Sequence, residues 1–220
     1  MIITIDGPAG SGKSTAARKL AAALEIPYLD TGAMYRAITL KALDTATPLD
    51  DADALVALAR STHIELDCGP THVRVIMDGH DVSEAIRSMR VSAHTNCIAR
   101  VPGVRQVLVD KQRQIARRIG SLVTEGRDQG SVVFPDADFK FLVDADDAKR
   151  AERRHADLVS DGEEIALADV LENLRLRDNN DRSRWAPLLQ SGRAIAIYTT
   201  HMSIAEVVER MIEVIRPKGS

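Results

Sequence analysis

The stretch GPAGSGKS at residues 7–14 constrains the fold of this chain more than any other feature of the sequence. It has the form G-x-x-x-x-G-K-S and stands between an apolar run, IITID, and a helical run, STAARKLAAALE. A strand, a glycine-rich turn and a helix in this order form the context that the phosphate-binding P-loop requires. The motif therefore predicts nucleotide binding, and a plain glycine turn beside a lysine is the simpler alternative.

Each part of this motif has a physical role in holding a triphosphate. The glycines let backbone N–H groups turn toward the phosphates, and the following helix presents the positive end of its dipole. Lys13 is expected to neutralise the β- and γ-phosphates, and Ser14 to hold Mg²⁺. The predicted nucleotide site comprises Gly7, Pro8, Ala9, Gly10, Ser11, Gly12, Lys13, Ser14 and Thr15.

The rest of the chain predicts an α/β fold. Apolar runs that suit buried parallel strands alternate with helical segments, namely PYLD, LVTEG, FKFLV and AIAIY. Residues 62–83 alternate with a period of two between turn residues, which predicts a small antiparallel sheet inserted at about 61–96. We expect one domain over residues 1–220, with a three-layer P-loop fold around a central parallel sheet.

The composition of the chain favours a globular protein and argues against several classes of binding partner. A chain of 220 residues with 45% hydrophobic content can bury its core as one domain with an insert or as two small domains, and no second full domain is needed. The net charge of -3 argues against binding to nucleic acid or to an anionic membrane surface. The two cysteines, Cys68 and Cys97, form no C-x-x-C pair, so reduced thiols in a cytoplasm are expected. The N-terminal residues MIITID show neither the basic region nor the apolar region of a secretory leader, and no apolar run reaches about 18 residues, so we expect a soluble protein without a targeting segment.

A second anionic ligand is indicated by the residues LDTGAMYR, at positions 29–36. Asp30 follows a short predicted strand, and ligands of open parallel sheets lie beyond the carboxyl ends of the strands. There Asp30 would orient the water molecules of Mg²⁺, while Thr31 and Arg36 would face a phosphorylated acceptor. The alternative is a helix N-cap formed by Asp30 or Thr31, with Arg36 in solvent. The GTPase patterns D-x-x-G and N-K-x-D do not occur in the sequence.

A third strand end carries the residues EGRDQG. Arg127 is expected to clamp an acceptor phosphate at this edge of the sheet. Asp128 is a natural acceptor for the exocyclic amine of a base, and cytosine presents such a donor at N4. A buried structural pair of the two residues is the alternative.

Two arginine-rich segments follow in predicted helices. Arg177, Asp181 and Arg184 fall on one face, which is also the pattern of an ordinary salt-bridged surface. Arg150, Arg153 and Arg154 share another face, in a segment that is either a lid over the nucleotide or a solvated basic helix.

Four blocks together resemble the bacterial cytidylate kinases, which are nucleoside monophosphate kinases: GPAGSGKST, LDTGAMYR, EGRDQGSVVFPDA and RDNNDRSR, in this order and over nearly the whole chain. The resemblance implies transfer of the γ-phosphoryl group of ATP to CMP or dCMP by a cytoplasmic monomer that uses Mg²⁺. It also implies that the insert binds the monophosphate and that a helical lid covers about residues 149–164.

The resemblance assigns residues to each role. The implied CMP contacts are Thr31, Tyr35, Arg36, Asn96, Arg105, Arg127, Asp128, Arg177, Asp181 and Arg184. Asn96 stands where related sequences carry a serine. The implied catalytic residues are Lys13, Arg127, Arg150 and Arg154, with Arg153 added to the ATP site and with Ser14 and Asp30 at the metal.

Three other functions are compatible with the motifs. A kinase of this architecture would also suit UMP, AMP or shikimate as the acceptor. A nucleotide-binding switch would bind ATP without transferring a phosphoryl group to an acceptor. A non-enzymatic scaffold would not bind ATP at all.

Overall fold

A computed structural model describes residues 1–160, 162, 164–190 and 192–216. Within the helix that ends at residue 190, the side chains of residues 177, 180–187, 189 and 190 lie outside this description. The chain divides into two compact units, Met1–Leu24 with Val123–Ser220, and Glu25–Leu122.

The strands are β1 (Ile2–Asp6), β2 (Tyr28–Asp30), β3 (Ile64–Cys68), β4 (Val73–Met77), β5 (His80–Asp81), β6 (Leu122–Gly126), β7 (Phe139–Asp144) and β8 (Ile195–Tyr198). The helices are α1 (Lys13–Leu24), α2 (Thr31–Asp44), α3 (Ala52–Ser61), α4 (Met89–Ala99), α5 (Pro102–Ile119), α6 (Asp147–Ser160), α7 (Leu167–Gln190) and α8 (Ile204–Ile215). A 3₁₀ turn, Ala85–Arg87, and a π-helical turn, Gln129–Val133, complete the elements.

The first unit is built on a parallel sheet in which β6, β1, β7 and β8 are neighbours in that order. Strand β1 is adjacent to β7, with Ile5 opposite Phe141. Both side chains are fully buried, as the continuous apolar run IITID predicts for a strand covered on both faces. This order places the end of β1, where the P-loop begins, between the ends of β6 and β7.

Helices cover this sheet and extend from it. Helix α1 packs against α8, whose first turn is closed by a capping box between Ser203 and Glu206. Helices α6 and α7 pack together around the buried side chains of Leu158, Val170 and Leu174. The same cluster includes Ala9 of the P-loop, so this helical pair rests on the nucleotide-binding loop.

The second unit contains the antiparallel sheet β3-β4-β5. Leu66 lies opposite Val75, and both are buried. On each strand, the residues immediately before and after them are more exposed. Asp78 and Gly79 both have positive φ angles, 49° and 84°, at the tight turn between β4 and β5. Helices α2 to α5 complete this unit.

The predicted fold class is confirmed, because the chain combines a parallel α/β sheet with a small antiparallel sheet. The predicted strand LVTEG matches β6, and the period-two segment 62–83 contains β3, β4 and β5. The predicted limits of the insert, about 61–96, and of the lid, about 149–164, remain predictions. No helix in the described part of the chain combines the length and apolar content needed to cross a membrane.

Candidate active site

The P-loop, residues 7–14, has a backbone that only glycine accommodates at two positions. Gly7 has a φ of 148°, and a Cβ atom there would overlap the carbonyl oxygen of Val143. Gly10 has a φ of 73°, and its Cβ atom would lie 2.8 Å from the carbonyl oxygen of Arg150. The loop therefore fits closely between β7 and α6 because it lacks side chains at these points.

Lys13 lies folded against this loop. Its Nζ donates to the carbonyl oxygen of Pro8 at 3.1 Å, and the residue is only 7% exposed. Ser14 is half-buried next to it at the start of α1. This places an ammonium group, a hydroxyl group and a helix amino terminus around one short loop, which is the donor set that suits the phosphates of a nucleotide.

Arg150 is buried and held from several directions. Its Nη1 donates to the carbonyl oxygen of Ala9 at 3.0 Å, and its Nε donates to that of Ala145 at 3.0 Å. Its Nη2 lies 2.5 Å from Asp147 Oδ1 and 2.6 Å from Asp178 Oδ2. Burial raises the pKa of Asp147, but the hydrogen bonds and charges of Arg150 and Arg175 together outweigh it and hold this pKa below its ordinary value.

The two carboxylates that hold Arg150 were not predicted from the sequence. Asp147 stands three residues before Arg150 in α6, and this spacing is a signal for an ion pair. Asp178 belongs to α7 and is distant along the chain, so no local pattern indicates its role.

The other two arginines of the predicted lid, Arg153 and Arg154, have different surroundings. Arg153 donates to the hydroxyl of Thr199 at 3.1 Å and to its carbonyl oxygen at 2.7 Å. Thr199 in turn donates to the carbonyl oxygen of Ser11 at 3.2 Å, which joins Arg153 indirectly to the P-loop. Within the described residues, half-buried Arg154 makes no hydrogen bond or ion pair. Thr199 was not predicted as a site residue. It directly follows the predicted strand AIAIY, and a position at the carboxyl end of a parallel strand could have indicated its role.

Residues 126–130 run from the last residue of β6 into the π-helical turn, and we call them the acceptor loop because the sequence predicts acceptor contacts there. Arg127 Nη1 donates to the carbonyl oxygen of Gly7 at 2.9 Å, so this guanidinium lies at the entrance of the P-loop. Asp128 is buried beside it along the chain. The loop continues into the π-helical turn, in which the Phe134 N–H donates to the carbonyl oxygen of Gln129 at 2.7 Å. Such turns often occur at functional sites.

Asp30 forms the helix cap that the simpler alternative predicted. Its Oδ1 accepts from the Ala33 N–H at 2.9 Å, and its Oδ2 accepts from Arg36 Nη2 at 3.1 Å. The alternative was wrong for Arg36, which is half-buried and paired instead of solvated. Arg36 Nε is buried and has no partner among the described residues, so its N–H group remains available to an anion.

The other predicted acceptor contacts are placed as follows. Thr31 is buried and Tyr35 is half-buried, and both belong to α2 with Arg36. Asn96 is exposed on α4, and Arg105 is half-buried on α5. The side chains of Arg177, Asp181 and Arg184 lie outside the described residues.

A magnesium ion bound with a nucleotide needs few protein ligands, since Mg²⁺ keeps several water molecules and phosphate oxygens. The hydroxyl of Ser14 fits that requirement. Both carboxylate oxygens of Asp30 already accept hydrogen bonds, so Asp30 suits a contact through water better than direct coordination. The described residues contain no group of three or more His, Cys, Asp or Glu side chains that could hold a metal on their own.

A parallel α/β sheet, a P-loop after β1 and guanidinium groups fastened around that loop define a P-loop nucleotide-binding protein. The family model described as cytidylate kinase matches residues 3–217. The chain belongs to the cytidylate kinase family, as the four sequence blocks predicted.

Individual relatives agree with this membership. The cytidylate kinase of Caldanaerobacter subterraneus subsp. tengcongensis is 47% identical over 215 residues, which cover 97% of this chain and 94% of the relative. A bifunctional pantoate ligase/cytidylate kinase from Synechococcus sp. is 46% identical, and the match covers 98% of this chain but 40% of that longer protein. The crystal structure of TT1252 from Thermus thermophilus has a TM-score of 0.50 and 19% identity over 100% of this chain and 98% of its own, which supports the fold alone.

Proposed function

We propose that this protein transfers the γ-phosphoryl group of ATP to CMP or dCMP, forming ADP and CDP or dCDP. Family membership supports the reaction. The structural observation that carries the proposal is the position of Arg127. Its guanidinium donates to the carbonyl oxygen of Gly7 at 2.9 Å, so a fork suited to an acceptor phosphate adjoins the loop suited to a donor triphosphate.

On the donor side, the backbone N–H groups of the P-loop and the amine of Lys13 hold the phosphates of ATP. The ammonium group of Lys13 has three N–H donors, so it can keep its bond to the carbonyl oxygen of Pro8 and also donate to the β- and γ-phosphates. Arg153, anchored by Thr199, adds positive charge beside the loop. Bound Mg²⁺, contacted by Ser14 and through water by Asp30, would neutralise the phosphate charge further.

On the acceptor side, Arg36 and Arg127 hold the phosphate of CMP. Arg36 offers its unpartnered Nε, and Arg127 is oriented by its bond to Gly7. Asp128 accepts a hydrogen bond from the cytosine amine at N4, which selects cytosine over uracil. Thr31, Tyr35, Asn96 and Arg105 are further proposed contacts of the nucleotide, together with Arg177, Asp181 and Arg184 on α7.

The transfer itself needs positioning more than covalent chemistry. An oxygen of the CMP phosphate forms the new bond to the γ-phosphorus, and the bond from that phosphorus to the β–γ bridging oxygen breaks, leaving ADP. The acceptor oxygen is already ionised near neutral pH, so no strong base is required. Lid arginines that spread charge over the equatorial oxygens, and exclude water, complete the site.

The lid arginines divide this work. Arg150 is 3% exposed and donates to the P-loop carbonyl of Ala9, so its proposed contribution is to hold the P-loop in place without contacting the phosphates. Arg154 makes no hydrogen bond or ion pair within the described residues, and we assign it the contact with the transferring phosphoryl group. Action as a monomer in the cytoplasm is part of the same proposal.

An acceptor panel tests the proposal against its alternatives. ADP release from ATP and Mg²⁺ is measured with CMP, dCMP, UMP, AMP and shikimate as separate acceptors. We expect release with CMP or dCMP to exceed release with every other compound. Faster release with UMP, AMP or shikimate would assign a different acceptor. Binding of ATP without acceptor-dependent release would favour a switch, and absence of ATP binding would favour a scaffold.

A further inference from the structure

Asp6, the last residue of β1, joins the start of the P-loop to the acceptor loop. Its Oδ1 accepts from the Gln129 N–H at 2.7 Å, and its Oδ2 accepts from the Gly130 N–H at 2.8 Å. Asp6 itself is fully buried, and the bonds span more than 120 residues of sequence. Both bonds are charge-assisted, which makes them stronger than those between neutral groups.

The fit at Gly130 shows that this junction is closely packed. A Cβ atom on Gly130 would lie 2.7 Å from Thr4 Oγ1 and 3.2 Å from Asp6 Oδ2. The loop backbone therefore approaches β1 closely only because residue 130 has no side chain. Thr4 Oγ1 is buried and has no hydrogen-bond partner among the described residues, so Asp6 supplies the polar attachment on this strand.

A second connection joins the same two segments, and the acceptor loop is again the donor. Asp6 precedes Gly7, whose carbonyl oxygen accepts from Arg127 at 2.9 Å. Two consecutive residues of β1 and the P-loop thus hold three groups of one loop. Arg127, the proposed contact of the acceptor phosphate, is itself one of these attachment points, and Asp128, the proposed contact of the base, lies between Arg127 and Gln129.

We propose that Asp6 is a positioning residue, which fixes the acceptor loop on the start of the P-loop so that the acceptor phosphate and base meet the donor site in register. This inference deepens the proposed function and rests on it. Asp6 is assigned no substrate contact, because its side chain is fully buried and its two carboxylate oxygens accept backbone N–H groups of the acceptor loop. Its effect reaches the acceptor through Arg127 and Asp128.

Asp6→Asn tests this role with little change in shape. The amide keeps one acceptor oxygen but places an N–H group against a backbone N–H group, so one loop bond is lost. We expect KM for CMP to rise by roughly tenfold or more, while KM for ATP changes by about twofold or less. Selection of CMP over UMP should weaken in the same variant, because Asp128 loses its fixed position.

Thr4→Val is the matched control. It alters a buried residue of the same strand, next to the same glycine, without removing a hydrogen bond. Both KM values should stay near those of the wild type. Should Asp6→Asn fail to fold, Gly130→Ala supplies the second test, since its methyl group would push the loop away from Thr4 and Asp6. It should also raise KM for CMP more than KM for ATP.

Hydrogen exchange separates this inference from the proposed function. The Gln129 and Gly130 amides should exchange slowly in the wild type, and roughly tenfold faster in Asp6→Asn, whatever the acceptor of the enzyme. A wild-type protein that is inactive toward CMP would refute the proposed function. The hydrogen-exchange rates of the Gln129 and Gly130 amides would then still show whether Asp6 holds the loop. Unchanged exchange, or equal changes in both KM values with an active wild type, would overturn the inference.

Discussion

At the scale of single residues, charged groups in this protein are held in place before any substrate arrives. The amine of Lys13 rests on a carbonyl oxygen of its own loop, and Arg127 is bonded to the first glycine of that loop. Preorganised charges of this kind act more strongly on a developing transition state than groups that must first be ordered. The site is therefore built for electrostatic stabilisation.

Lys13→Ala should lower kcat by about 100-fold to 1,000-fold, because it removes a preorganised positive charge from the donor phosphates. Steady-state ADP release with CMP is the measurement. Lys19→Ala, on the exposed face of the same helix, is the control and should retain activity. Full activity of Lys13→Ala would show that the P-loop does not act on the phosphates in the proposed way.

Asp6 should leave a signature in the pH dependence of stability. Burial, together with the charges of Asp128 and Glu125, raises the pKa of its carboxyl from 3.8 to about 6, against the opposing effect of the two backbone hydrogen bonds. The folded protein then binds more protons than the unfolded chain between these values. The contribution of this group to stability is thus present at low pH and is lost as the pH rises through about 6.

Asp6→Asn removes this titration and provides the comparison. The free energy of unfolding of the wild type relative to the variant should decrease by about 2 kcal/mol between pH 4 and pH 7. Urea unfolding across this range measures it. A difference that does not change with pH would mean that Asp6 titrates at its ordinary value.

At the scale of elements, the pair of helices α6 and α7 carries the lid arginines and rests on the P-loop. A small cluster of buried side chains holds the pair together, and Arg150 fastens it to the carbonyl of Ala9. Packing and polar contacts therefore act on the same segment, and substitutions can separate their effects.

Arg150→Ala and Arg154→Ala should fail in different ways. Removing Arg150 leaves Asp147 and Asp178 without their shared cation, so the free energy of unfolding and the affinity for ATP should both fall. Removing Arg154 should lower kcat and leave stability unchanged. Thermal unfolding and kinetics on both variants decide this, and a kcat effect confined to Arg150→Ala would reverse the two assignments.

Leu174→Ala tests the packing of the same helices. Leu174 is 2% exposed within the cluster, and its truncation should cost about 2–4 kcal/mol in the free energy of unfolding. Leu176, two residues further along α7, is 57% exposed and gives a matched control. Leu176→Ala should change stability by about 0.5 kcal/mol or less. Equal losses in urea unfolding would contradict the described core.

At the scale of the whole molecule, local patterns predicted the fold better than they predicted the contacts of the site. Continuous apolar runs and period-two alternation are properties of neighbouring residues, and they indicated β1, β6 and the antiparallel sheet correctly. Two contacts of the site join residues that are far apart in the chain. Asp178 pairs with Arg150, and Asp6 accepts from the Gln129 N–H. No local pattern encodes such pairs, since they depend on how strands and helices pack.

Asp30 shows the same limit within a short segment. The sequence correctly offered a helix cap as one interpretation, yet it did not reveal that Arg36 would turn back onto the same carboxylate. That contact depends on rotamers and burial, and both follow from tertiary packing.

Following the γ-phosphoryl group of ATP is the most direct test of its proposed transfer to CMP or dCMP. ATP labelled with ³²P in the γ-phosphate is incubated with the protein, Mg²⁺ and CMP, and the products are separated. We expect the label to appear in CDP, in step with the ADP formed, and dCMP to yield labelled dCDP when it replaces CMP. Label released as inorganic phosphate, or retained in ATP, with no labelled CDP or dCDP, would contradict it.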